Sequence, residues 1–208
     1  MKFTETELID MWVELIEIIN TTFTGERLKK LSYLYTTLQD RILLAPASHN
    51  KNYYGAYPGG YLESVLQVVK IAQYMGKLWE KMGGNINYTS EELIFCALNH
   101  MLGKLGDDKN ELYIPNDNDW FIKNRGEIYM FNPKVIYMTI PDRSIWLLQH
   151  FGLELTQNEY ISIKTYEGLL NEANNNYFKG YNSEFKSHLP ILIHQANFMA
   201  YRLAHEIK

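Results

Sequence analysis

Leu62-Glu63-Ser64-Val65-Leu66-Gln67-Val68-Val69-Lys70-Ile71-Ala72 is the stretch that decides how this chain folds. Leu62, Val65, Leu66, Val69 and Ala72 recur at three- and four-residue steps, the spacing of one helix face, and Ile71 widens the stripe. The pattern runs on to Gly83-Gly84. A helix this apolar belongs at the centre of a core, and the segments on either side must be able to cover it.

They have the means. Upstream, Thr4 and Glu7 form a capping box before Leu8, Met11, Trp12, Leu15, Ile18 and Ile19, which predicts an amphipathic opening helix. Gly25 breaks that pattern, and Leu28, Leu31, Leu34, Tyr35 and Leu38 carry a second helix toward Leu44, closed by Pro46. From His49 to Gly60, glycines, Pro58 and tyrosines predict a loop. Downstream, Thr89 and Glu92 form another capping box, opening a helix through Leu93, Phe95, Cys96, Leu98 and Met101 to Gly103. The helical period is lost over 104–138, where β-leaning residues such as Glu127-Ile128-Tyr129-Met130-Phe131 predict irregular chain with one hairpin. Helices resume from Asp142 to Phe151, from Thr156 (capping box with Glu159) to about Asn171, and from Leu189 to Glu206 after Tyr181 and Asn182. Asn174-Asn175-Asn176 reads as a surface turn. The expectation is a mostly α chain forming a single domain over 1–208.

Composition narrows the function classes. With 208 residues, 46% hydrophobic and 21% charged, the chain has material for a core and is not globally disordered. Twenty basic against 24 acidic side chains leave a net charge of -4, so no overall positive field draws it to long nucleic acid or an anionic membrane. The opening residues lack the basic and apolar regions of a signal peptide, and no stretch of about 18 uncharged apolar residues suits a membrane span. Cys96 is the only cysteine, so no intramolecular disulfide forms; a buried thiol in a reducing, cytoplasmic setting is expected.

Six histidines, many carboxylates and no glycine-rich phosphate loop direct attention to a metal or acid–base site rather than a P-loop. His49, His100 and His194 each adjoin a helix that should be buried. Taken alone, each reads as a hydrogen-bonded core histidine, and there is no His-Glu-x-x-His pair.

Three stretches stand out: Ser48-His49-Asn50, Gly59-Gly60-Tyr61-Leu62-Glu63-Ser64, and Ala97-Leu98-Asn99-His100-Met101-Leu102-Gly103-Lys104-Leu105-Gly106. The series continues through Asn124-Arg125-Gly126-Glu127, Tyr137-Met138, Asp142-Arg143-Ser144, Glu159-Tyr160, Gly168, Glu172-Ala173-Asn174 and His194-Gln195-Ala196-Asn197. In this order, over about 45 to 206, the chain resembles the HD-domain metal-dependent phosphohydrolases, most closely the compact HD-domain proteins of tailed bacteriophages. The resemblance implies a compact HD-like helical bundle, with 1–44 as a helical extension and 104–138 as an insertion. The departures fall on the coordinating positions. Ser64 stands where the family has a metal-binding His. The His-Asp pair becomes His100-Met101, a further His aligns with Ile140, a His-Asp-Gly triplet with Tyr166-Glu167-Gly168, and the last Asp with Asn197.

Hard divalent cations need anionic oxygen or imidazole, and a thioether serves Mg²⁺ and Mn²⁺ poorly. An ion pair at ~4 Å is worth about 4 kcal/mol at an effective dielectric near 20, and twice that for a divalent ion, so losing both aspartates removes most of the attraction. No metal, no cofactor and no hydrolysis are therefore expected. A pocket without cations must meet phosphate with side-chain donors, for which the candidates are His49, His100, Lys104, Arg125 and Arg143. Ser64, Asn174 and Asn197 supply neutral hydrogen bonds, Asp142 and Tyr166 complete the set, and Tyr61, with Tyr53, Tyr54 and Tyr57, is placed to stack on a base. Each has a plainer reading: Lys104 as a helix-end cation, Arg125 paired with Glu127, Asp142-Arg143 bracing a helix N-terminus.

The expected function is capture of a nucleotide or nucleotide-derived signal without cleavage, which in a bacteriophage setting would serve as a counter-defence sponge in the host cytoplasm. Against it stands a scaffold in which Met101, Ile140 and Tyr166 plug the pocket, and, third, a hydrolase of altered metal use. A cavity beside His100 and Asn197 with inward cations favours capture; a packed interior favours the scaffold. Trp120 and Phe121 are candidates for a self-association face in a homo-oligomer.

Overall fold

Helix signals written locally in the sequence become ten helices and one two-stranded sheet in the computed structural model, which describes residues 2–168, 171–179 and 187–206. The order is α1 (Glu5–Thr22), α2 (Gly25–Thr37), α3 (Gln39–Leu44), α4 (Gly60–Lys81), α5 (Ser90–Asn99), a 3-10 turn (Leu102–Leu105), β1 (Tyr113–Pro115), α6 (Asp119–Arg125) and β2 (Tyr129–Phe131). Then come α7 (Ile140–His150), α8 (Gln157–Thr165), a 3-10 turn (Glu172–Asn174), α9 (Asn175–Lys179) and α10 (Leu189–Glu206). The protein is mostly α.

Capping boxes open α1 at Thr4/Glu7, α5 at Thr89/Glu92 and α8 at Thr156/Glu159, each satisfying backbone donors that the first helical turn leaves orphaned. Between them the apolar faces meet in one contiguous core. α4 lies at its centre, packed against α1, α3, α5 and α10, with Leu62, Val65, Leu66, Val68, Val69 and Ala72 buried. Every residue of α5 from Leu93 to Asn99 is buried, including the free thiol of Cys96, which burial pushes well above its ordinary pKa. Leu15, Ile19, Phe23, Leu31 and Leu34 of α1 and α2 belong to the same core, so residues 1–44 share it with the rest of the bundle.

α7 packs closely on the 3-10 turn that follows α5. The Gly103 amide donates to Ser144 Oγ at 2.8 Å, and a Cβ on Gly103 would stand 2.4 Å from the Ile140 carbonyl oxygen, so only glycine lets the two approach.

The 104–138 region forms the hairpin that the sequence predicts, with β1 and β2 antiparallel in the register Tyr113↔Phe131, Ile114↔Met130 and Pro115↔Tyr129. The glycine loop joins its edge through the Asn50↔Glu127 bridge and the Tyr129 N–H to His49 carbonyl bond of 3.0 Å. The connection also holds α6, which sequence reading missed: none of its residues is buried, so it has no apolar stripe, and Asn118 caps it instead. The second predicted helix is divided at Leu38 into α2 and α3, and the helix after Thr156 ends at Thr165, short of Asn171. The expected surface turn at Asn174 is corrected: its side chain is only 1% exposed and donates to the Gly168 carbonyl at 3.0 Å. Tyr181 and Asn182 lie outside the described residues. Among the described residues no helix is long and apolar enough to cross a membrane.

Candidate functional site

Helix α5 ends on His100, whose imidazole is fully buried. Its Nδ1 lies 2.8 Å from the Ala97 carbonyl oxygen. A carbonyl can only accept, so Nδ1 carries the proton and Nε2 is left as a bare acceptor. Nothing within hydrogen-bond geometry reaches Nε2 among the described residues, although the side chain of Asn197, on α10, faces the ring. Tyr166, just beyond α8, sets its ring edge-on to His100 with centroids 4.9 Å apart. Burial, and then nearby Lys104, pull the His100 pKa down to about 4, outweighing the Nδ1–H bond to the Ala97 carbonyl and the facing Asn197 amide, which favour the charged form, so the ring is neutral at neutral pH.

One turn further on, Lys104 is largely buried. Its ammonium donates to the Ala47 carbonyl at 2.6 Å and stands 5.3 Å from the centroid of the Tyr54 ring. Burial opposes its charge; the surrounding Tyr54 and Tyr113 hydroxyls and Glu167 outweigh that and raise its pKa. Arg143 of α7 is 3% exposed and reaches the Ile136 carbonyl at 2.7 Å and that of Gly103 at 3.5 Å. Among the described residues no carboxylate lies within 4 Å of either cation. Tyr113 of β1 interacts electrostatically with both, and its hydroxyl is held above the ordinary pKa by burial first. His49 stacks on Tyr113 at 6.2 Å and lies 5.3 Å from the Phe131 ring; burial lowers its pKa.

The structure therefore brings His100, Lys104, Tyr166 and Asn197 together, with His49 and Arg143 beside them. Asn174 supports this group from behind, fixing the turn that carries Tyr166. Gly168 ends that turn at φ +58° and packs so closely on His194 that a Cβ would lie 2.1 Å from the ring. His194 Nδ1 in turn lies 2.9 Å from the Tyr166 carbonyl.

Four expected residues stand elsewhere. Tyr61 is buried in the core beside Tyr35. Ser64 donates to the Gly60 carbonyl of its own helix at 2.7 Å. Arg125 is exposed, 3.8 Å from Glu127 and packed over Trp120 and Phe121, as its plainer reading has it. Asp142 accepts from Thr139 at 2.7 Å and pairs with Lys164, bracing the start of α7. Tyr113 was missed: it sits in the stretch without periodicity, and only the hairpin carries it to Lys104.

The donor set around His100 does not fit a hard divalent cation. The ring's neighbours are Tyr166, Asn197 and the ammonium of Lys104, and Met101 beside it is a fully buried thioether. Among the described residues no three His, Cys, Asp or Glu side chains converge in a group suited to a metal. No protein-family model, curated protein or solved structure matches this chain.

Proposed function

We propose that the protein is a non-catalytic, HD-like helical protein that captures a nucleotide-type small molecule at the cluster of His100, Lys104, Tyr113, Tyr166 and Asn197. The observation that carries this reading is a pair of largely buried cations, Lys104 and Arg143, whose close partners are carbonyl oxygens and, for Lys104, the Tyr54 side chain, and which flank Tyr113 with no carboxylate within 4 Å among the described residues. Glu167 and Asp107 act on these cations only from beyond 4 Å, so each is incompletely neutralised, and a phosphate supplies a close opposite charge. The bare Nε2 of His100 accepts from a ligand hydroxyl or amine, and the tyrosine rings suit a base. With neutral groups in place of acids around His100, hydrolysis by a metal-bound water has no support, and retention of the ligand is the use this site suits. Sequestering a nucleotide-derived signal is the biological role that follows.

One observation favours the scaffold instead. Met101 is fully buried and Tyr166 packs directly on His100, which fills the ground a ligand would need. Calorimetry separates the two, using mono-, di- and cyclic nucleotides with Mn²⁺, with Mg²⁺ and with chelator. Capture predicts metal-independent binding without phosphate release, weakened by Lys104→Met and by His100→Gln. No binding across that panel leaves the scaffold standing; steady phosphate release overturns both.

A further inference from the structure

A cavity of about 400 Å³ opens between α3, the glycine loop, the Leu102–Leu105 turn and the hairpin, and Lys104 and Tyr113 line it as well as the His100 cluster. We infer that this cavity is a binding site for a nucleoside monophosphate, its phosphate held between Arg41 and Lys104 and its base against the hairpin tyrosines. The inference rests on the capture reading and extends it by naming the ligand class and its seat.

The volume is in the range of small-molecule pockets, about 300–1,000 Å³. Its walls follow from the hairpin register. Side chains two apart on a strand share a face, so Tyr113 and Pro115 of β1 stand over their partners Phe131 and Tyr129 of β2 on one side of the ribbon. Of these, Tyr113, Pro115 and Tyr129 line the cavity, and the two tyrosines are its aromatic residues.

The charge is also sorted. Arg41 donates to the carbonyls of Asp107 at 2.5 Å and, at 3.4 Å, of Asp108 and Asn110, with no carboxylate within 4 Å among the described residues. Arg41 and Lys104 are thus two incompletely neutralised cations on one cavity, a match for a phosphate monoester dianion. The cavity's acids, Asp40 and Glu111, are exposed. They disfavour the additional charge of a triphosphate chain reaching outward.

The test is titration of the full chain with adenosine monophosphate, adenosine, inorganic phosphate and ATP. Leu44 lines the cavity at the end of α3 and is 56% exposed, so Leu44→Trp can narrow the cavity without disturbing the core. The monophosphate should bind more tightly than adenosine or phosphate and at least as well as ATP, and Leu44→Trp should weaken it by about tenfold or more while leaving the ligand-free Tm unchanged. Unchanged affinity in Leu44→Trp, with binding lost in His100→Gln, overturns the cavity and leaves capture at His100 intact. Loss in Leu44→Trp with full binding in His100→Gln keeps the cavity and removes the His100 assignment. ATP binding about tenfold more tightly than the monophosphate overturns the ligand class. No binding of any of the four by the wild-type chain overturns the cavity as a monophosphate site, and the wider panel of di- and cyclic nucleotides then decides the capture reading by itself.

Discussion

A fully buried imidazole is costly to charge, and for His100 that cost outweighs the bond from Nδ1–H to the Ala97 carbonyl, which favours the charged ring. His100 therefore titrates at about 4 in the folded chain, against 6.5 for the free side chain. The unfolded chain takes up a proton that the folded one refuses, so the contribution of His100 is complete above pH 6.5 and declines as pH falls toward 4. A fall from 6.5 to about 4 corresponds to about 3 kcal/mol. Half-buried His49 shifts in the same direction, so the comparison must isolate one ring. Urea unfolding of the wild type and of His100→Gln, measured from pH 7.5 to 4, should show the wild type losing its advantage over the variant through that window. A stability difference independent of pH would refute a neutral, buried His100. Much of the rest of the site was beyond sequence reading for a related reason. His100 and Asn197 enter the candidate set through the resemblance, which keeps an imidazole at His100 and replaces an Asp by Asn197, whereas Tyr113 and Arg41 belong to no local pattern. Arg41 meets the carbonyls of Asp107, Asp108 and Asn110, and Tyr113 meets Lys104 and His49, partners distant in the chain whose meeting no spacing encodes.

At the scale of elements, what was legible is what is local. The three Thr–Glu capping boxes all form, because each is settled by residues three apart, and α4 follows from apolar periodicity alone. Helix α6 and three-residue strands were invisible or blurred because neither buries a stripe long enough to register a period. Contacts between elements are a different matter, and Arg27 is the clearest case. From α2 it reaches Glu159 of α8 at 2.5 Å and Glu91 of α5 at 3.2 Å, with its guanidinium 4.0 Å from the Phe95 ring. The Glu159 side chain is fully buried. Burial raises its pKa, and the Thr156 amide and Arg27 pull in the other direction without prevailing. Replacing Arg27 by Met leaves a buried carboxylate without its partner, which should cost about 3–5 kcal/mol at neutral pH. A carboxyl with a raised folded pKa contributes most when protonated and loses that contribution as pH rises, so the deficit of Arg27→Met should shrink on going from pH 7 to 5. Adding Glu159→Gln should recover part of the loss at pH 7. A double variant no more stable than Arg27→Met would show that Arg27 acts through its packing on Phe95 instead.

At the scale of the whole molecule, the question is whether residues 1–44 are an appendage or a wall of the bundle. Leu15 and Ile19 of α1, Leu31 and Leu34 of α2 and Ile42 of α3 lie in the same core as α4, α5, α7 and α10, all between 0% and 1% exposed. An element that shares buried side chains with its neighbours cannot leave without opening them to water. The proposed site inherits this dependence, since Arg41 on α3 and Lys104 on the turn after α5 line one cavity only while that core holds. Trp12 on α1, Trp79 on α4 and Trp146 on α7 are partly buried against the core and report on it from three sides. Retaining one tryptophan at a time, with the others changed to Phe, gives three fluorescence transitions to set beside helical circular dichroism. All should fall on one urea midpoint. Leu15→Ala, which opens a cavity under α1, should lower that midpoint for every probe together, with a loss of about 2–5 kcal/mol in unfolding free energy. An earlier transition at Trp12, with Trp79 and Trp146 unmoved by Leu15→Ala, would instead make the first three helices a separate unit that the ligand site does not need.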